Sequence, residues 1–135
     1  MTLTIKERLT VEWGDCDPLG IMFYPQSFRW FDNATHHLFD AAGRPMNSLE
    51  KHYGIVGCPL VDVGASFKAP LAWLSTIHVE SRIAEWRNKS FVVSHTVWIG
   101  ETVAIEGREV RVFVARNGDG LKGVAIPDDL KARFT

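Results

Sequence analysis

Residues 25–42 constrain the fold more than any other part of the chain. Phe28, Phe31, Leu38 and Ala42 fall on one stripe at helical spacing, and Trp30, Ala34, His37 and Ala41 widen it. A helix apolar over so much of its circumference has to be covered on several sides, which makes it central to the domain. Pro25 suits the first helical position, where the N–H it lacks would find no partner, and Gly43 suits the residue just past the last turn.

Sheet is what the rest of the chain offers as cover. Leu3, Ile5, Leu9, Val11 and Trp13 keep one parity while Lys6, Arg8, Thr10 and Glu12 take the other, the period of a half-buried strand ending near Trp13. After the helix, residues 44–59 read as an irregular connection with a helical turn near 47–52. Residues 60–67, 76–86, 91–99 and 103–115 are then rich in the branched and aromatic side chains that pack on pleated surfaces. The short links Arg87-Asn88-Lys89 and Gly100-Glu101-Thr102 imply antiparallel hairpins. Asn117-Gly118-Asp119-Gly120 is a strong turn signal, from which residues 121–126 return as a last strand. The predicted class is α+β, an antiparallel sheet wrapped around one long central helix. Such a sheet leaves strand edges and apolar surface open, and the expectation is a homo-oligomer, dimer or tetramer.

With 135 residues the chain is expected to be a single domain spanning 1–135, and 46% hydrophobic with 23% charged residues excludes a disordered or fibrous class. Fifteen Lys and Arg against sixteen Asp and Glu leave a net charge of -1, so no general attraction to nucleic acid or to an anionic membrane is expected. Cys16 and Cys58 form no CxxC pair and suggest free thiols in a reducing compartment. No leader-like segment opens the sequence and no run of about 18 apolar residues occurs, so a soluble, cytoplasmic protein is predicted. The serine-hydrolase, P-loop, dinucleotide and zincin signatures are absent. His36, His37, His52, His78 and His95 include no helical i,i+4 pair, and no metal site is expected.

The segment that carries chemistry is Gly14-Asp15-Cys16-Asp17-Pro18-Leu19-Gly20-Ile21, which runs through Met22 and Phe23 into Tyr24-Pro25 and the helix. Backbone N–H groups and the dipole at a helix start can polarise a carbonyl oxygen, while a nearby carboxylate supplies the attack. Acyl transfer needs both parts. By spacing alone, Asp15 and Asp17 read more readily as turn or capping residues. Cys16 beside Asp17 reads as a small buried side chain, because no histidine is placed to activate it.

This segment, together with Arg29-Trp30-Phe31-Asp32, Gly54-Ile55-Val56-Gly57 and Glu85-Trp86-Arg87-Asn88-Lys89-Ser90-Phe91, resembles the 4-hydroxybenzoyl-CoA thioesterase family of hot-dog enzymes. The resemblance covers most of the chain. Related thioesterases associated with the Tol-Pal system place a histidine after the tyrosine, and Pro25 there favours the hydroxybenzoyl branch. It implies a hot-dog fold and hydrolysis of an aromatic acyl-CoA to free acid and CoA, without a cofactor. Asp17 falls on the family's catalytic aspartate, as nucleophile or general base, and Tyr24 supplies the N–H that polarises the thioester carbonyl. Asp15 becomes structural. Asp32 matches a residue near the acyl ring, Arg87 and Lys89 match cations that contact the nucleotide of CoA, and phosphates are natural partners for such cations. A tryptophan of the family's acyl site is replaced by Met46 or Asn47 and a threonine by Cys58, so the acyl group is left open. A short-chain, phenylacetyl or acyl-carrier-protein thioester is the alternative substrate, and a non-catalytic acyl-CoA-binding module is the alternative of another class.

Overall fold

The computed structural model describes residues 1–135. Strand β1 (Thr4–Thr10) precedes a 3₁₀ turn (Trp13–Asp15) and the central helix α1 (Gln26–Ala41). A second 3₁₀ turn (Met46–Ser48) and α2 (Leu49–Tyr53) lead to β2 (Leu60–Phe67), β3 (Thr76–Trp86), β4 (Ser90–Ile99) and β5 (Thr102–Val112). A hairpin of β6 (Val114–Asn117) and β7 (Gly120–Gly123) follows, and α3 (Asp128–Ala132) closes the chain. Five strands form one antiparallel sheet in the order β1-β3-β4-β5-β2, with the β6–β7 hairpin apart. This is a hot-dog fold. No helix is long and apolar enough to cross a membrane.

Most expected elements are present, and the departures have local causes. The first strand stops at Thr10 because residues 13–15 close a 3₁₀ turn, in which the Glu12 N–H donates to Asp15 Oδ2 at 2.9 Å. Trp13 is consequently 63% exposed rather than in line with the inward parity, and packs edge-on against Trp73. The run 103–115 breaks at Phe113, whose N–H turns to the Lys89 carbonyl at 3.1 Å. The last strand ends at Gly123, short of 126, since Ile126 donates instead to Asn88 O at 2.9 Å. The helix α3, absent from the sequence reading, carries Leu130 and leads to Phe134, both buried.

Helix α1 buries Ser27, Trp30, Phe31, Ala34, Thr35, Leu38 and Phe39. His37 and Ala41, assigned to the apolar stripe, instead face out, and His37 Nδ1 meets Glu7 Oε1 at 2.8 Å. The core beneath is divided in two. One cluster gathers Leu38, Phe39, Ile83, Phe91, Val93, Phe113 and Phe134; the other gathers Trp30, Phe31, Ile77, Val79, Val97 and Ile105. Between them lies a polar layer of Thr35, Ser81, His95 and Glu109, each at most 1% exposed. Along β4 the inward positions read Phe91, Val93, His95 and Val97, so the histidine occupies a core position by strand parity.

Candidate active site

The loop before α1 is a frame of backbone hydrogen bonds. Asp17 opens a turn in which Gly20 N–H donates to Asp17 O at 2.9 Å and Pro18 takes the second position, where its fixed φ is favourable. The Asp17 side chain accepts the Leu19 N–H at 2.8 Å, which aims its carboxylate. The turn role of this aspartate is therefore present, and a carboxylate with two oxygens can cap a turn and still offer a lone pair. Asp15 accepts from Glu12 through its side chain and from Phe23 N–H through its carbonyl, and holds the loop to the helix start. Met22 N–H to Leu71 O at 2.8 Å and Trp73 N–H to Gly20 O at 3.0 Å tie the loop to residues 69–73.

At the helix start the N–H groups of Gln26, Ser27 and Phe28 are consumed by the carbonyls of Phe23, Tyr24 and Pro25, at 2.9, 3.2 and 3.1 Å. Pro25 has no N–H, and the Tyr24 N–H donates to no protein acceptor. The helix thus offers one open backbone donor in this turn. Asp17 and Tyr24 line one cleft of about 340 Å³, with Ile21, Met22, Phe67 and the stretch 68–71 as its other walls. A mostly apolar cleft lined by Asp17, by Lys68 and by Tyr24 with its open N–H suits a reaction in which negative charge grows on a carbonyl oxygen.

Met46 and Cys58 lie elsewhere, in a second cavity of about 390 Å³ that includes His36, Val56, Arg111 and Leu121. Cys58 Sγ contacts Met46 Sδ at 3.6 Å. Burial pushes the Cys58 thiol up to about 11 despite Arg111 nearby, so it is a neutral packing group at neutral pH. Cys16 is half-buried rather than buried as expected, and desolvation, with Asp15 and Asp17 alongside, raises its thiol. Asp32 joins the second group through Arg111, whose Nη2 donates to Asp32 Oδ1 at 2.8 Å. Arg87 and Lys89 stand exposed at the β3–β4 tip. Arg87 Nη2 meets Glu85 Oε2 at 3.1 Å, a weak exposed pair that an incoming phosphate can outcompete. The sequence-predicted residues thus fall into three places on one copy: Asp17 with Tyr24, Asp32 with Met46 and Cys58, and Arg87 with Lys89.

Arg111 and the layer beneath it escaped the sequence reading. Arg111 is 5% exposed, and its Nη2 also donates to Glu109 Oε2 at 2.7 Å while Nη1 donates to Cys58 O at 3.0 Å. Glu109 Oε1 accepts from His95 Nε2 at 3.0 Å and from the Thr35 hydroxyl, and Ser81 Oγ meets His95 Nδ1 at 2.7 Å. Because a carboxylate only accepts, His95 donates through Nε2, and in the neutral ring Nδ1 accepts from Ser81. Burial alone would push the Glu109 carboxyl up, and the hydrogen bonds from His95 and Arg111, with the charge of Arg111, outweigh it, bringing it down to about 2. A glutamate and an arginine two residues apart in an apolar strand, and a histidine at inward parity, were the available signals. No group of three or more His, Cys, Asp and Glu side chains is placed to hold a metal ion.

Residues 11–134 match the sequence profile of the thioesterase-like superfamily. The 4-hydroxybenzoyl-CoA thioesterase of Pseudomonas sp. (strain CBS-3) is 37% identical over 134 residues, which cover 95% of this chain and 94% of that protein. The crystal structure of a 4-hydroxybenzoyl-CoA thioesterase in which an aspartate is replaced by asparagine, complexed with 4-hydroxybenzoyl-CoA, superimposes with a TM-score of 0.89 at 33% identity, covering 98% of this chain and 99% of that one. A gentisyl-coenzyme A thioesterase structure gives a TM-score of 0.81 at 31% identity, over 96% of this chain and 98% of that one.

Proposed function

The chain belongs to the thioesterase-like superfamily, and from that premise we propose that it hydrolyses an aromatic acyl-CoA to the free acid and CoA. The observation that carries the reading is that Asp17 and Tyr24, a residue whose N–H has no protein acceptor, line one cleft. With the thioester carbonyl oxygen on the Tyr24 N–H, Asp17 acts on the carbonyl carbon in one of two ways. As a nucleophile its oxygen bonds to that carbon, the C–S bond breaks, and CoA leaves as a thiolate that takes a proton from solvent; water then cleaves the mixed anhydride. As a general base it takes a proton from water, whose oxygen bonds to the carbon instead; the C–S bond then breaks and CoA leaves as a thiolate that is protonated from Asp17 or solvent. Arg87 and Lys89 bind the phosphates of CoA, and Asp32, with Met46 and Cys58 nearby, receives the acyl ring and accepts a hydrogen bond from a ring hydroxyl. The similarity to enzymes named for 4-hydroxybenzoyl-CoA and gentisyl-CoA supports a hydroxylated aromatic acyl group.

The working form in this proposal is a dimer or a tetramer. The edge strand β2 leaves Leu60, Val61 and Phe67 exposed, whereas the other edge, β1, carries alternating charges that discourage pairing. The catalytic cleft borders the Phe67 end of β2 and the second cavity borders its Pro59 end. Eight residues of strand hold these ends roughly 26 Å apart. Two copies joined antiparallel through β2 set the Asp17 cleft of one beside the Cys58 cavity of the other, so each site is shared. The free thiols Cys16 and Cys58 support a reducing, cytoplasmic setting.

Thiol release from 4-hydroxybenzoyl-CoA, benzoyl-CoA, phenylacetyl-CoA and short aliphatic acyl-CoAs tests the activity. Wild type should turn over the aromatic substrates fastest, and Asp17→Asn should lose at least about 100-fold in kcat. Binding without hydrolysis would replace this reading with an acyl-CoA-binding module, and a fully active Asp17→Asn would remove Asp17 from the mechanism.

A further inference from the structure

The polar layer that divides the core is joined to the surface by a continuous chain of contacts. It runs from Ser81 to His95, from His95 to Glu109, from Glu109 to Arg111, and from Arg111 to Asp32. Its inner members are buried, while the Asp32 side chain is 51% exposed. Breaking a core into two apolar halves with an ionic layer is an expensive way to gain stability, because apolar residues of the same volume would serve as well or better. Arg111 adds to that cost. Its Nε is the single buried side-chain nitrogen or oxygen without a protein hydrogen-bond partner, which leaves that donor uncompensated by the fold.

What the layer does achieve is orientation. A half-exposed aspartate on a helix samples several rotamers, and a guanidinium offers donors in a fixed planar fork that restricts it. Arg111 cannot itself swing, since Nη1 is held by the Cys58 carbonyl and Nη2 by Glu109. Glu109 is held in turn by His95 and Thr35. The helix is registered against the same layer one residue from Asp32, because the Phe31 ring stacks on His95 at 4.6 Å with the planes 3° apart. Arg111 also lines the second cavity beside Met46 and Cys58.

We infer that Arg111 is a positioning residue for acyl selectivity: footed on the buried Glu109–His95 pair, it fixes the Asp32 carboxylate as an acceptor for a hydroxyl group on the acyl portion of the thioester. The inference rests on the thioesterase reading above and on Asp32 as its hydroxyl acceptor, and it assigns the residue that gives that acceptor its direction. Arg111 does not touch the reacting carbonyl; it acts through Asp32.

The test is the ratio of kcat/KM for 4-hydroxybenzoyl-CoA to that for benzoyl-CoA, two substrates that differ by one hydroxyl, measured for wild type, Arg111→Lys, Arg111→Met, Asp32→Asn and the Asp32→Asn/Arg111→Met pair. Both Arg111 variants should lower the ratio by about tenfold or more, through a higher KM for the hydroxylated substrate, because a misaimed acceptor loses a charge-assisted hydrogen bond. Arg111→Lys should not rescue it, since a point charge lacks the fork, and the paired variant should show the ratio of Asp32→Asn alone. A merely structural role would lower both substrates together and leave the ratio where it was, and that result overturns the inference. If Arg111→Met fails to fold, Glu109→Gln, which leaves Arg111 in place but loosens its footing, must lower the ratio in its stead or the inference falls. A wild type that hydrolyses neither substrate refutes the thioesterase reading itself, whereas one that hydrolyses both equally keeps that reading and refutes only the role of Asp32 and Arg111.

Discussion

Replacing Gly107 by alanine would put a Cβ atom 2.3 Å from Cε2 and 2.4 Å from Cζ of Phe31, distances that real Cβ atoms do not reach. Gly107 lies on β5 between His95 of β4 and Ala65 of β2, so the missing side chain is the space that the Phe31 ring fills. Phe31 is fully buried and cannot swing into solvent. The helix or the strand must give, and overpacking of this kind costs about 1–3 kcal/mol. Loss of the stack on His95 adds roughly 0.5–1.5 kcal/mol. The sum, about 1.5–4.5 kcal/mol, corresponds to a fall in Tm on the order of 10 °C for a domain of this size. Thermal unfolding followed by circular dichroism measures it, at matched protein concentration because association makes Tm concentration-dependent. Gly64→Ala on the neighbouring strand is the control, since a Cβ there meets nothing within 4 Å, and its Tm should stay within about 2 °C of wild type. Phe31→Leu in the Gly107→Ala background should recover part of the loss, as contacting residues do not add. A Gly107→Ala variant as stable as the Gly64→Ala control would refute the argument, because the ring and the strand would then have slack that the packing denies.

Two further outcomes follow from the same geometry. Glu109→Gln should cost about 3 kcal/mol at neutral pH, since Arg111 is left buried with a weakened partner. The Glu109 carboxyl is depressed from its ordinary 4.5 to about 2 in the folded chain, so its contribution is complete above about 4.5 and is lost as pH falls toward 2; denaturant unfolding should show the gap between wild type and variant closing over that window, and a gap constant with pH would contradict the pairing. Val61→Lys, which sets a charge on the open β2 edge, should shift sedimentation toward the monomer and lower activity with it. A wild type that sediments only as a monomer would end the shared-site proposal.

What the sequence determined by itself is the class of the fold and the structured loop before α1. Helical spacing over residues 25–42 and two-residue alternation in the later runs are local regularities, set by 3.6 and 2.0 residues per repeat, and they can be read without knowing what they pack against. The range 60–67 for β2 and 76–86 for β3 came out as observed. The Asp15–Asp17 loop was legible for the same reason, because turn residues act on their own backbone within a few positions. The strand end at Thr10 follows from a local 3₁₀ turn that strand parity overlooked, whereas the end at Gly123 was not legible, since it is decided by competing hydrogen bonds from segments distant in sequence. The bond from Ile126 to Asn88 is one such case. The polar layer belongs wholly to the tertiary structure. Thr35, Ser81, His95, Glu109 and Arg111 lie on a helix and three different strands, and a lone histidine or arginine in a β run is neutral information until its neighbours are known. Only packing brings them within bonding distance, and only the low dielectric of the packed core makes their pairing strong enough to aim Asp32.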